Sequence, residues 1–226
     1  MGRTHTLFIN LQKLSNSGDK CHTIIRLMMA CNDIALANHC QSMFREERSP
    51  ISSHVQKGAL MYFVRLQCGH LNEAMKIIEE IKNDQSLFGI IKKCSQNAED
   101  AFTKLTNCLK GGPNYQQFQN FVGQIRQNTV FHYSDKMVDK ALTDRSSRPE
   151  AHISKITYGN HISLSRFDLA DDIVDSIVCR HIWKIPRSAN LRQEADRISD
   201  FGSDLCKSLL DFSGEFLYRY IKDYAI

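Results

Sequence analysis

Apolar residues return at three- and four-residue intervals through six long segments of this chain, and that periodicity predicts helices almost throughout. Ile24, Met28, Cys31 and Ala35 mark a first helix over residues 19–46, which Ser49-Pro50 separates from the next. Leu60, Val64, Leu71, Met75 and Ile78 mark a second over 51–83, where Gly58 and Gly69 either weaken the helix or permit close helix contact. A turn at Asn83-Asp84-Gln85-Ser86 leads into a third over 86–110, through Phe88, Ile91, Phe102, Leu105 and Leu109. Gly111-Gly112-Pro113-Asn114 is the strongest stop signal, because glycine ends one helix and proline opens the next. A fourth helix is expected over 114–143, a fifth over 166–183 and a sixth over 189–222. Residues 1–18 are weakly patterned and read as an extended arm or a short helix.

Asp144 to Pro149 is polar, ends in proline and reads as a loop. Beyond it, Ile156-Thr157-Tyr158 and Ile162-Ser163-Leu164 flank Gly159-Asn160, which suggests a short β-hairpin near 153–165. The expected fold is therefore all-α, a bundle of about six helices with that hairpin as an insertion. With no repeat or flexible linker in view, one domain over residues 1–226 is the simplest organisation. The chain is long enough for a substantial core, and its 42% of hydrophobic residues is too many for disorder.

A net charge of +4 permits a nucleic-acid partner without demanding one. The eight cysteines form no C-x-x-C pair and lie mostly among apolar helix residues, where a reduced thiol behaves as a small hydrophobe. With no secretory signal ahead of them, a reducing cytoplasm is the expected location. Met1-Gly2-Arg3-Thr4-His5-Thr6 matches the myristoylation pattern but has no polybasic second signal beside it. The longest apolar run, Ile24 to Ala37, is split by Asn32-Asp33 and is too short to span a membrane. Cys179-x-His181, with His161 and Cys206 elsewhere, lacks the paired spacing of a zinc site, and neither a metal nor another cofactor is expected. Phosphate-cradling glycine loops and the serine-hydrolase elbow are missing from the sequence. Lys92-Lys93 and Arg145-Ser146-Ser147-Arg148 are small basic groups of the kind that usually stays solvated, although the second could touch phosphate.

The segment Arg126-Gln127-Asn128-Thr129-Val130-Phe131-His132, followed by Tyr133, is unusual material for a helix. Arginine–histidine spacing alone carries little information: four pairs lie five to seven residues apart, against about 1.7 expected from composition. Context separates them. Arg48…His54 and Arg145…His152 each span a proline, and Arg65…His70 looks like ordinary helix packing. Only Arg126…His132 has polar residues directly after the arginine and aromatic residues on both sides of the histidine. A histidine can transfer protons near neutral pH, and an arginine presents a planar fork to phosphate oxygens. On a regular helix the two side chains would lie about 120° apart and about 9 Å along the axis. One undistorted helix therefore cannot aim both at one phosphorus: either the helix is irregular, or two chains combine their motifs. Asn128, four residues before His132, could orient the imidazole, and Tyr133 could hold substrate or simply pack. Asp33, which interrupts the apolar run of the first helix, could face the fourth helix and tune His132. The opposing interpretation is a core polar cluster, with Arg126 paired to a carboxylate and His132 satisfied by a carbonyl.

Arg126-x5-His132, with Gln127 after the arginine and Phe131-His132-Tyr133 at the other end, resembles the R-x4–6-H signature of the HEPN superfamily of helical bundles. That family often has asparagine or histidine directly after the arginine, whereas here glutamine stands there and Asn128 follows. The resemblance implies a metal-independent endoribonuclease of the toxin or phage-defence kind, with Arg126 and His132 catalytic and Gln127, Asn128 and Tyr133 in support. It further implies a homodimer, an RNA substrate and an antitoxin or other protein partner. Some such proteins have lost catalysis, so a non-catalytic dimerisation or partner-binding module is the alternative.

Overall fold

The computed structural model describes residues 6–16, 18–46, 53–130, 132–148, 156–157 and 166–225. Among these the fold is all-α apart from two strands of two residues each. The helices are α1 (Leu11–Ser15), α2 (Asp19–Glu46), α3 (Ser53–Asn83), α4 (Gln85–Ile91), α5 (Gln96–Thr106), α6 (Tyr115–Phe118), α7 (Asp135–Ser146), α8 (Asp168–Ser176) and α9 (Leu191–Ile221). Two long π-helical turns, Gln119–Gly123 and Arg126–Val130, extend α6, and a third, Ile177–Ile182, extends α8.

The predicted third helix is two helices, because local capping competes with continuation. The Asp84 carboxylate accepts from the amides of Ser86 and Leu87 and starts α4. Ser95 then caps α5, accepting from the Ala98 amide. The predicted fourth helix is also two, since residues 132–134 are not helical and helix resumes at Asp135. Its sequence explains the break. Thr129 and Val130 are β-branched and lose side-chain freedom in a helix, and Thr129 back-bonds its hydroxyl to the Ile125 carbonyl at 2.9 Å. Ser134 supplies the carbonyl that receives the Met137 and Val138 amides and so opens α7. Strands β1 (Ile156–Thr157) and β2 (Arg166–Phe167) pair antiparallel, with Ile156 opposite Phe167. Their pairing delays the predicted fifth helix to Asp168, while the expected Gly159-Asn160 turn lies outside the described residues.

Contacts gather the chain into two compact units. The first comprises residues 1–36, 70–116 and 203–226. Its core is built from α2, α3, α4, α5 and α9 through Ile24, Leu27, Ile34, Ile78, Ile81, Leu105 and Leu209, all buried. Phe212 links Phe102 and Phe216, with ring centroids 4.8 and 5.0 Å away. Polar contacts fix its surface: Arg26 forks onto the Glu80 carboxylate with two bonds of 3.0 Å, and Ile9 bridges Ala225 beside α1. The second unit comprises residues 37–69 and 117–202. Phe118, Val122, Ile125, Ala141, Ile173, Ile177, Val178 and Ile198 are buried in it. The Trp183 indole donates to the Phe121 carbonyl at 3.2 Å, and the Phe121 ring meets Phe201 edge-on.

All eight cysteines are free, and five of them are buried. Burial pushes the Cys108 thiol up to about 11 and the Cys206 thiol up to about 12, so both stay protonated at neutral pH. Among the described residues no helix is long and apolar enough to cross a membrane.

The start of α5 is tied to α9 by one carboxylate. Glu215 accepts from the Ser95 hydroxyl at 2.5 Å and from the Ser95 amide at 3.0 Å, and it pairs with Arg219 at 2.6 Å. The Ser95 hydroxyl above all, with the Ser95 amide and Arg219, holds the Glu215 carboxyl below its ordinary 4.5. A lowered folded value means the stabilisation is complete above 4.5 and fades as pH falls through that folded value. Glu215→Gln should therefore unfold at lower urea than wild type at pH 7, and the gap should close on acidification below 4.5. Ser95→Ala, which also removes the cap, should cost about 1 kcal/mol or more at pH 7 in the same titration.

Candidate functional site

The Arg126–Val130 segment is π-helical, so the irregular-helix alternative describes it. A π turn widens the backbone ring to i→i+5 and occurs mostly as single-turn insertions, frequently at functional sites. It also displaces carbonyls from their usual partners, and a buried carbonyl needs a donor. Arg65, on α3, supplies one: its Nη1 donates to the Thr129 carbonyl at 2.6 Å. The Asn128 carbonyl receives the Ser134 amide at 3.3 Å across the break. Thr129 itself is buried.

The predicted site residues fall in different settings. Arg126 is half-buried on the π turn, and Gln127 is exposed beside it. His132 is exposed, lies outside any helix, and makes no hydrogen bond or ion pair with a described residue. The 120° divergence of a regular helix thus does not describe this pair, and His132 is not a core histidine satisfied by a carbonyl. Asn128 does not orient His132: its amide donates back to Gln124, to the carbonyl at 2.7 Å and the side-chain oxygen at 3.2 Å. Asp33, in the other compact unit, ion-pairs with His70 Nδ1 at 3.5 Å. Tyr133 is 71% exposed, which leaves its ring available.

Tyr133 and Asn128 line a cleft of about 450 Å³ in the second unit, together with Arg65, Thr129 and Val138. The hairpin contributes Ile156 and Phe167 and α8 contributes Ile173, so the wall is mostly apolar. Neither Arg126 nor His132 is part of this lining. Arg65 and Phe167 are the residues that sequence reasoning misses. Arg65 sat in a pair set aside as ordinary packing, and nothing local marks an arginine whose partner is 64 residues away.

The remaining chemistry is structural. Arg145 pairs with Asp172 at 2.7 Å, while Arg148 and Arg187 both reach Asp144, so these cations already have carboxylate partners. His181 Nε2 is buried without a hydrogen-bond partner among the described residues. Burial, with nearby Lys140, pushes that imidazole below its ordinary value, so it is neutral at pH 7. Cys179 is buried on the same π turn, and His161 lies outside the described residues. Among the described residues no three potential metal ligands converge.

No protein-family model matches this chain, and no curated protein and no solved structure matches it.

The Arg65 bond can be tested without a ligand. Arg65→Met keeps the apolar stem and leaves the Thr129 carbonyl without its donor. It should cost about 1–3 kcal/mol in urea unfolding, the usual penalty for orphaning a buried polar group. Arg65→Lys should restore part of that loss, and a full-strength Arg65→Met protein would show that the bond contributes nothing.

Proposed function

We propose that this protein is a HEPN-like, metal-independent endoribonuclease whose catalytic pair is Arg126 and His132. One observation carries the reading. His132 stands exposed on a helix break, without an intramolecular partner among the described residues, six positions after an arginine on a π-helical turn. A histidine kept for packing would be buried and hydrogen-bonded. An exposed imidazole beside an exposed tyrosine is open to a ligand.

The chemistry follows from the residue types. The RNA 2′-oxygen attacks phosphorus, the bond to the 5′-oxygen breaks, and the products are a 2′,3′-cyclic phosphate and a 5′-hydroxyl. His132 takes the 2′-hydroxyl proton and returns a proton to the leaving oxygen, a role worth about 10²–10⁴ in rate. Arg126 offers its guanidinium fork to the charged phosphorane oxygens. Gln127, exposed next to it, is the nearest further donor along the chain. A toxin or defence role, a homodimer and an antitoxin-like partner are what the family resemblance adds. The homodimer now rests on that resemblance, since the irregular helix removes the geometric need for a second chain.

The second reading, a partner-binding module, is favoured by the apolar cleft, whose rim exposes Ile156 and Phe167.

The deciding assay is purified protein with RNA in excess EDTA. Cleavage is expected in wild type, and His132→Ala should abolish it while leaving the circular-dichroism spectrum unchanged. Arg126→Lys should lose most activity, because an ammonium cannot reproduce the bidentate fork. Cleavage that requires a metal, or a His132→Ala protein cutting at the wild-type rate, would sink the mechanism.

A further inference from the structure

We infer that the cleft of the second unit is a binding site for one unpaired nucleobase, and that it holds the base next to the phosphate engaged by His132. The second clause rests on the ribonuclease reading; the first stands on the cleft alone. Two aromatic rings are held at the rim with no burial to justify them: Tyr133 is 71% and Phe167 54% exposed. Ile156, directly opposite Phe167 in the hairpin register and 62% exposed, extends the same apolar rim. Ile177 lies deeper and is buried. The opposite chemistry is present as well. Asn128 and Arg65 line the same wall; the Asn128 amide nitrogen donates to Gln124 and Arg65 Nη1 to the Thr129 carbonyl, which leaves the Asn128 side-chain oxygen and Arg65 Nη2 as the groups without a partner among the described residues.

A flat ring with two π faces and a polar edge is the ligand that matches this combination. Aromatic platforms stack bases, and amide or guanidinium groups meet their edges. A base locked in a duplex presents neither face, so the ligand class is a single-stranded nucleic acid, which the ribonuclease reading makes RNA. The volume, about 450 Å³, lies within the roughly 300–1,000 Å³ of small-ligand pockets. Asp171 on the wall disfavours a phosphate inside the cleft, which places the backbone outside it. Tyr133 directly follows His132, so a base stacked there sits one residue along the chain from the imidazole.

The test is titration of the full chain with mononucleotides, followed by NMR or calorimetry, with ribose 5-phosphate as the control lacking a base. Mononucleotides should bind at millimolar concentration and ribose 5-phosphate should not. Tyr133→Ala and Phe167→Ala, both exposed positions that should leave the fold intact, should each weaken binding roughly 5- to 150-fold, the loss of one stacked base. Phe167→Leu keeps the apolar contact without the π face and should lose affinity too. Full nucleotide affinity in Phe167→Leu would overturn the inference. So would equal binding of ribose 5-phosphate, or an apolar dye that occupies the cleft and is not displaced by nucleotides, which would point to a protein partner. Failure of the two readings is distinguishable. Base binding without RNA cleavage removes the ribonuclease and leaves the base site. Nucleotide binding and cleavage that both proceed identically in Tyr133→Ala and Phe167→Ala remove the base site and leave the ribonuclease.

Discussion

The second unit depends on satisfying carbonyl groups that its widened helix turns displace. Each of the three π turns among its described residues has a carbonyl that accepts from elsewhere in the chain or from the residues that follow it. The Trp183 indole reaches the Phe121 carbonyl, and Arg65 reaches that of Thr129. Beyond Ile182, the amides of Trp183 and Ile185 bond to the carbonyls of Val178 and Cys179, and Arg180 in turn donates to Ile185 and Pro186. An unanswered buried carbonyl costs about as much as a lost hydrogen bond, so the distortion and its donors stand or fall together. The rim of the cleft follows from this. Because Arg65 secures the end of the Arg126–Val130 turn, the chain can leave helix there and present His132 and Tyr133 to solvent.

The long helices were legible because their apolar stripes run for many turns. Residues 19–46 are helical as the periodicity predicts, and the second helix is present from Ser53, where the described residues resume, to Asn83 as expected. Single residues that decide a boundary were harder to read. Ser95 and Ser134 are ordinary polar residues in sequence, yet one caps α5 with Glu215 beneath it and the other restarts the chain after the motif. Arg126 and His132 stood out by their neighbours. That the helix stops between them was not visible, since the π turn draws its support from Arg65 and the Trp183 indole serves the turn before it, both more than 60 residues away. Asp33 illustrates the same limit from the other side: its partner, His70, belongs to a different helix and to no local pattern.

Helix interiors here are governed by burial, and helix ends by polar accounting. Phe212, Phe216 and Leu209 need only an apolar neighbour, so any sequence with that stripe yields α9. The Ser95–Glu215–Arg219 group needs three particular atoms in reach of one another. The chemically capable residues of the second unit sit at the second kind of place. The non-helical residues 132–134 include an exposed histidine and an exposed tyrosine.

The distribution of sulfur gives the molecule a built-in set of clocks. Cys21, Cys108 and Cys206 are buried in one compact unit, and Cys68 and Cys179 in the other. A thiol raised to about 11 or 12 offers almost no thiolate to an alkylating reagent while its surroundings stay closed. The speed at which Cys108 and Cys206 are modified therefore records how often the first unit opens to water, read from the unmodified sequence.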